Sequence, residues 1–117
     1  MPFQGLLQRL VVSVSGAQAV ALMDASGEVV FLAGDRHERH RLIGAYQGIA
    51  LTRLRGASAS RATGPLRHVH SRYSDGQVIV RPLKDGYYLV LSLRPDANLG
   101  QALHRSAETQ QRLDAEL

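Results

Sequence analysis

The stretch GQVIVRPLKDGYYLVLSL, residues 76–93, decides the fold. Its tripeptide KDG, residues 84–86, separates two apolar, β-branched runs of strand length. Asp-Gly between such runs is a strong hairpin signal, because both central residues of a type I′ turn need a positive φ. A similar tripeptide, SDG at 74–76, follows the strand-like run LRHVHSRY at 66–73. The second half of the chain therefore predicts three antiparallel strands in a meander.

In the first half of the chain, the spacing of the apolar residues changes from that of a helix to that of strands. Apolar residues at spacings of three and four over 2–14 predict an amphipathic helix. Ser15-Gly16 ends this helix, and the apolar runs at 19–23 and 28–34 flank the turn ASG. Two such runs around a glycine-containing turn predict a second hairpin.

Two further helices complete the order. Residues 36–55 form the longest helical pattern, residues 56–65 form a loop of small and polar residues, and Asp96 or Asn98 can cap a closing helix. The order is αββαβββα, and both faces of the sheet carry apolar residues. We therefore expect an α/β (α+β) fold: a three-layer α/β/α sandwich around a five-stranded antiparallel sheet, as a single domain spanning 1–117.

Composition narrows the classes of function. The chain has 117 residues, a net charge of +4 and no cysteine, which excludes disulfides and thiolate zinc sites. No apolar run reaches bilayer-spanning length and no leader pattern begins the chain, so we expect a cytoplasmic protein. We find no phosphate-binding loop and no nucleophile elbow, and expect neither enzymatic activity nor a cofactor.

The stretches GAQAVALMDASGEVV (16–30) and GQVIVRPLKDGYYLVLSL (76–93), in this order of elements, resemble the Roadblock family of dynein light chains and bacterial GTPase-associated proteins. The resemblance covers almost the full chain and implies a Roadblock/profilin-like fold. It also implies a homodimer or heterodimer in which third strands pair at their edges and second helices lie side by side. Family members generally act without catalysis, as platforms for Ras-like GTPases or as parts of motor complexes. The single-domain form is typical of bacterial members that bind a small GTPase.

The second predicted helix carries two glycines, Gly44 and Gly48, on one face. Each costs about 0.5–1 kcal/mol relative to alanine in a helix interior. We expect Leu42, Tyr46 and Ile49, with Arg53, to face the core. The glycine face would then be a smooth patch for a second copy or a partner. The interface predicted on this basis comprises Arg41, Gly44, Gly48, Leu51 and Arg55, flanked by His40, Ala45 and Gln47. Two alternatives are that the glycines meet this chain's own sheet, or that an exposed helix merely tolerates them.

The third strand is the second predicted interface. On the family's pattern, its edge would pair with a second copy through Val69, His70, Ser71, Arg72 and Tyr73. Val69 and Tyr73 alternate onto one face, where they could meet across a twofold axis. Paired histidines at such an edge would make assembly sensitive to pH.

Other groupings carry weaker hypotheses. Five arginines surround the loop and third strand and could meet nucleic acid or an anionic membrane: Arg53, Arg55, Arg61, Arg67 and Arg72. Few aromatic side chains are available to stack on bases, so we favour a solvated basic face, or one complementary to an acidic partner, over nucleic acid. Histidines at 37 and 40, and at 68 and 70, lack a third metal ligand and are interpreted as solvated or interface residues. Two further hypotheses are that Arg61 acts as an arginine finger in a GTPase site, and that the chain is a structural adaptor without a GTPase partner.

Overall fold

The computed structural model describes residues 2–59 and 64–117; for residues 2 and 57–59 it describes the backbone only. Three helices and five strands follow the order αββαβββα. Their bounds are α1 Pro2–Ser13, β1 Ala17–Met23, β2 Val29–Gly34, α2 Glu38–Ala59, β3 Val69–Tyr73, β4 Gly76–Pro82, β5 Tyr88–Leu93 and α3 Leu99–Glu116. None of these described helices is long and apolar enough to cross a membrane.

The five strands form one antiparallel sheet in the order β2-β1-β5-β4-β3. The predicted meander is confirmed, because β4 pairs with both β3 and β5. The first hairpin joins the meander through β1 and β5. This arrangement leaves β2 and β3 at the two edges of the sheet.

Helices cover both faces of the sheet, as the apolar pattern predicts. One core contains Leu7 and Leu10 of α1, Leu113 of α3, and the sheet residues Ile79 and Leu91. The other core lies under α2 and contains side chains of β1, β2, β4 and β5 together with one buried helix residue. Its members are Ala19, Ala21, Met23, Leu32, Leu51, Val78, Val80, Tyr88 and Val90. The three-layer sandwich is therefore confirmed, with α1 and α3 on one face and α2 on the other.

The two Asp-Gly hairpins differ from each other. Asp85 and Gly86 have φ values of 58° and 81°, as the predicted type I′ turn requires. The same prediction is wrong at SDG, where neither Asp75 nor Gly76 has a positive φ. Gly76 already belongs to β4 and pairs with Tyr73. A Cβ there would lie 2.6 Å from the carbonyl oxygen of Leu93, so close packing explains this glycine.

Helix α2 extends beyond its predicted end. It runs to Ala59, so residues 56–59, expected in the polar loop, are helical. The remainder of that loop includes residues 60–63, which lie outside the described residues. The arginine-finger hypothesis for Arg61 falls there as well.

Helix α3 begins as the sequence predicts. The side chain of Asn98 caps it by accepting a hydrogen bond from the backbone N–H of Gln101 at 3.0 Å. The side-chain oxygen of Gln101 accepts a further bond from the backbone N–H of Ser15 at 2.8 Å. This pair of bonds ties the start of α3 to the segment that follows α1.

Candidate functional site on α2 and β3

Helix α2 presents the opposite face to the sheet from the one expected. Leu42, Tyr46 and Ile49, predicted to face the core, are 55%, 71% and 56% exposed. Gly44 is buried, and Leu51 is only 3% exposed. Arg53, placed with the core stripe, is also exposed. The predicted orientation of α2 is therefore wrong.

The two glycines lie against this chain's own sheet. A Cβ on Gly44 would lie 2.8 Å from the terminal methyl carbon of Met23, and one on Gly48 would lie 2.7 Å from Cζ of Tyr88. The Tyr88 hydroxyl donates a hydrogen bond to the Gly44 carbonyl oxygen at 3.0 Å. The prediction of a smooth exposed patch is thus wrong, because the glycines give two buried side chains of the sheet the room they need.

Hydrogen bonds between polar groups hold the start of α2 on its buried face. His40 is 2% exposed, and its Nε2 lies 3.2 Å from Oδ2 of Asp35. The Asp35 carboxylate also accepts a hydrogen bond from the backbone N–H of His37 at 3.0 Å. Both hydrogen bonds lower the pKa of Asp35 below its ordinary value, and the bond from His37 has the larger effect. His40 therefore anchors the start of α2 inside the chain, rather than flanking an exposed patch.

One hydrogen bond connects α2 directly to the edge strand. The side-chain amide of Gln47, which is 8% exposed, donates to the hydroxyl of Tyr73 at 2.8 Å. Tyr73 shares a sheet face with Val69 and Ser71, since these pair with β4 residues at alternate positions. Val78 and Val80, opposite Ser71 and Val69, belong to the core under α2. The side chains of Gln47 and Tyr73 therefore join helix and edge strand on one face.

The outward face of α2 is unusually apolar for a solvent-facing helix. We call Leu42, Tyr46 and Ile49 the α2 stripe; they are between 55% and 71% exposed. They are spaced four and three residues apart and lie on the solvent side of the helix, whereas Leu54, five residues beyond Ile49, lies about 140° further round it. Contiguous exposed apolar surface on a small domain marks an interaction site. The sequence signal for this stripe was its helical spacing, which we assigned to the core.

The other predicted interface residues on α2 are exposed or half-buried. Arg41 is exposed, Ala45 is half-buried, and Arg55 donates to the carbonyl oxygen of Leu83 at 3.4 Å. Their contact with a partner stays a prediction.

The predicted strand edge coincides with β3. Val69, His70 and Ser71 are half-buried, whereas Arg72 and Tyr73 are exposed. Nε2 of His70 lies 2.8 Å from Oε1 of the buried Gln77, so this histidine is engaged within the sheet. Within residues 2–59 and 64–117, no three histidine, aspartate or glutamate side chains are grouped to hold a metal ion.

Solved structures of other proteins share this architecture. The sequence matches no family model and no curated protein. The crystal structure of a Roadblock/LC7 domain from Streptomyces avermitilis is 17% identical and has a TM-score of 0.85, over 97% of this chain and 95% of that one. The crystal structure of MglC from Myxococcus xanthus is 30% identical over the full length of both chains, with a TM-score of 0.72. The chain belongs to the Roadblock family.

A third solved structure has the same fold. This Roadblock domain superposes on Myxococcus xanthus MglB with a TM-score of 0.86, at 14% identity, over 98% of this chain and 94% of that one. At that identity the likeness concerns the fold alone. The expected Roadblock fold is thereby confirmed.

Proposed function

We propose that this Roadblock domain forms a homodimer through the α2 stripe and the edge of β3, and that the dimer binds a Ras-like small GTPase without catalysis of its own. The observation that carries the proposal is the α2 stripe, which is apolar, exposed and adjacent to an open strand edge.

A second copy of this chain fits the stripe for a geometric reason. Edge strand β3 has unpaired main-chain groups, and antiparallel pairing of two identical edges is compatible with a twofold axis. Tyr73 lies on the α2 side of the sheet and is bonded to Gln47. The same axis would therefore bring two α2 stripes together on one face. Each stripe residue that becomes buried would contribute about 1 kcal/mol, as roughly half of its surface is already covered.

The GTPase part of the proposal derives from membership of the family. Roadblock proteins serve as platforms for Ras-like GTPases, and this chain belongs to that family. The exposed Arg41 and Arg53 lie on the same helix as the stripe. They would give a GTPase complex a dependence on salt concentration.

Solution mass tests the dimer. We expect about twice 12.8 kDa by light scattering over a concentration series. Ile49→Glu should weaken self-association at least tenfold, because it places a charge in the apolar contact. Val12→Glu is the matched control, since Val12 is 81% exposed on α1, in the other helix layer. A monomer at every concentration would contradict the dimer, and equal effects of both variants would contradict its placement on the α2 stripe.

A titration tests the GTPase. We would measure binding of purified Ras-like GTPases, each loaded with GDP or with a non-hydrolysable GTP analogue. We expect binding to differ between the nucleotide states and to weaken in Ile49→Glu, but not in Val12→Glu. A stable dimer that binds neither nucleotide form would leave the structural adaptor as the better description.

A further inference from the structure

A basic cleft of about 1020 Å³ lies between α3, the end of β4, the segment that leads into β3, and Arg55 of α2. We call it the α3 cleft. Its cationic side chains are Arg55, Arg67, Arg81 and Lys84, and Asp114 is the single acidic residue that lines it among those the structure describes.

Arg81 is a buried cation that pairs with no carboxylate among the residues the structure describes. It is 5% exposed, and its guanidinium donates to the hydroxyl of Ser106 at 2.8 Å, to Oε1 of Gln110 at 3.2 Å and to the carbonyl oxygen of Leu103 at 2.9 Å. All three acceptors are neutral. Burial lowers the pKa of Arg81, yet an arginine keeps its charge at neutral pH. Because buried charges are usually paired, this guanidinium favours an anion beside it.

The other cations of the cleft are also without an acidic partner. The ion pairs found among residues 2–59 and 64–117 include none of Arg55, Arg67 or Lys84. The Asp114 carboxylate accepts a hydrogen bond from the backbone N–H of Lys84 at 3.0 Å, and forms no ion pair in the described chain. One negative charge thus faces four positive charges, and the cleft has a positive potential.

Apolar side chains form the remaining wall. Leu66, Pro82, Leu83 and Ala107 line the cleft beside the cations. A free phosphate would use the charges, but it would leave this wall and most of the volume unfilled. No Phe, Tyr or Trp side chain lines the described cleft, so stacking of nucleic-acid bases is disfavoured.

We propose that the α3 cleft binds an acidic peptide segment of a partner protein. Its carboxylates would lie at Arg67, Arg81 and Lys84, and an apolar side chain would contact the wall at Leu66 and Pro82. Each terminal nitrogen of Arg81 carries a second N–H beyond the bond described for it, and the side chain lines the cleft. None of these residues belongs to the α2 stripe or to the β3 edge, so this proposal does not depend on the proposed dimer.

The test uses the full chain and the pentapeptide Glu-Glu-Leu-Glu-Glu with blocked ends. In ¹H–¹⁵N spectra we expect its titration to shift the Arg81 Nε–H and the Gln110 side-chain amide. Lys84→Glu should weaken binding at least tenfold. Arg9→Glu, an exposed site on α1 with the same change of charge, should weaken it less than threefold.

Several results would overturn the proposal. Equal weakening in Lys84→Glu and Arg9→Glu would mean that only net charge matters. Pyrophosphate that displaces the peptide with equal or higher affinity would reassign the cleft to small anions. Tighter binding of a single-stranded oligonucleotide at these same resonances would reassign it to nucleic acid. Arg67→Glu repeats the test at a second exposed position, should Lys84→Glu disturb the adjacent turn.

Discussion

Replacing Gly48 by alanine tests the orientation of α2 directly. The new methyl group would overlap the Tyr88 hydroxyl and lie 2.7 Å from Cζ of the same ring. Tyr88 is 3% exposed and its hydroxyl donates a hydrogen bond to the Gly44 carbonyl oxygen, so displacement of the ring would break this bond. Either α2 must move away from the sheet or Tyr88 must leave its position.

The expected magnitude is a balance of three contributions. Alanine improves helix propensity by about 1 kcal/mol. Overpacking costs about 1–3 kcal/mol, and the hydrogen bond from Tyr88 to Gly44 contributes about 1 kcal/mol if it is broken. We therefore expect Gly48→Ala to lower the free energy of unfolding by about 1–3 kcal/mol.

Gly56 provides the matched control on the same helix. A Cβ at Gly56 would meet nothing within 4 Å. Gly56→Ala should therefore raise the free energy of unfolding by about 0.5–1 kcal/mol. Gly44→Ala should fall between the two, because the end of the flexible Met23 side chain is what its methyl would meet.

The assay is urea unfolding followed by circular dichroism, at one fixed protein concentration because self-association would contribute to stability. The three variants should rank Gly48→Ala, Gly44→Ala and Gly56→Ala, from least to most stable. Stabilisation by Gly48→Ala equal to that by Gly56→Ala would refute the packing of α2 described here. A smaller cost of Gly48→Ala in a Tyr88→Phe background would identify the hydroxyl as the group that is overlapped.

Three further predictions concern other parts of the chain. Arg81→Lys should lower the free energy of unfolding by about 1–3 kcal/mol, because an ammonium cannot reproduce the guanidinium fork that reaches Ser106; urea unfolding measures it. Burial, and next the charge of Arg81, lower the pKa of His68 below 6.5, so the unfolded chain binds the proton more readily. Stability should then fall as pH drops below about 6.5 and level off below the folded pKa, and His68→Asn should reduce this slope in thermal melts across pH 7 to 5. Gly16→Ala should lower the melting temperature by several degrees, since Gly16 has a φ of 89° and its Cβ would lie 2.6 Å from that of Ala97; Gly100→Ala, where the nearest atom is 3.6 Å away, is its control.

Most of the fold was predictable because its signals are local. The Asp85-Gly86 turn, the cap at Asn98 and the strand-length apolar runs each act over a few residues. Together they predict the order of elements and the three layers. The turn at Asp75 was mispredicted because the same dipeptide also satisfies a tertiary requirement, the close approach of Gly76 to Leu93.

The candidate site was not predictable to the same degree, because α2 has apolar residues on its outer face and small or polar ones inside. Periodicity identifies a face but does not say what covers it. The side chains that decide the matter, Met23 and Tyr88, lie on strands distant in sequence. Arg81 was likewise missed, since its burial depends on acceptors from α3 that no local pattern indicates.

Helix α2 packs on the sheet through two glycines, a few polar contacts, Leu51 and the half-buried Ile43, whereas α1 buries Leu6, Leu7 and Leu10. Less apolar surface thus opposes local opening of α2 than of α1. Local opening of such a segment exposes its amide hydrogens to exchange. If the proposed homodimer covers the stripe, opening of α2 and dissociation of the dimer are coupled. Dilution would then loosen α2 while α1 stays protected, and hydrogen exchange in α2 would measure how much of the protein is dimeric.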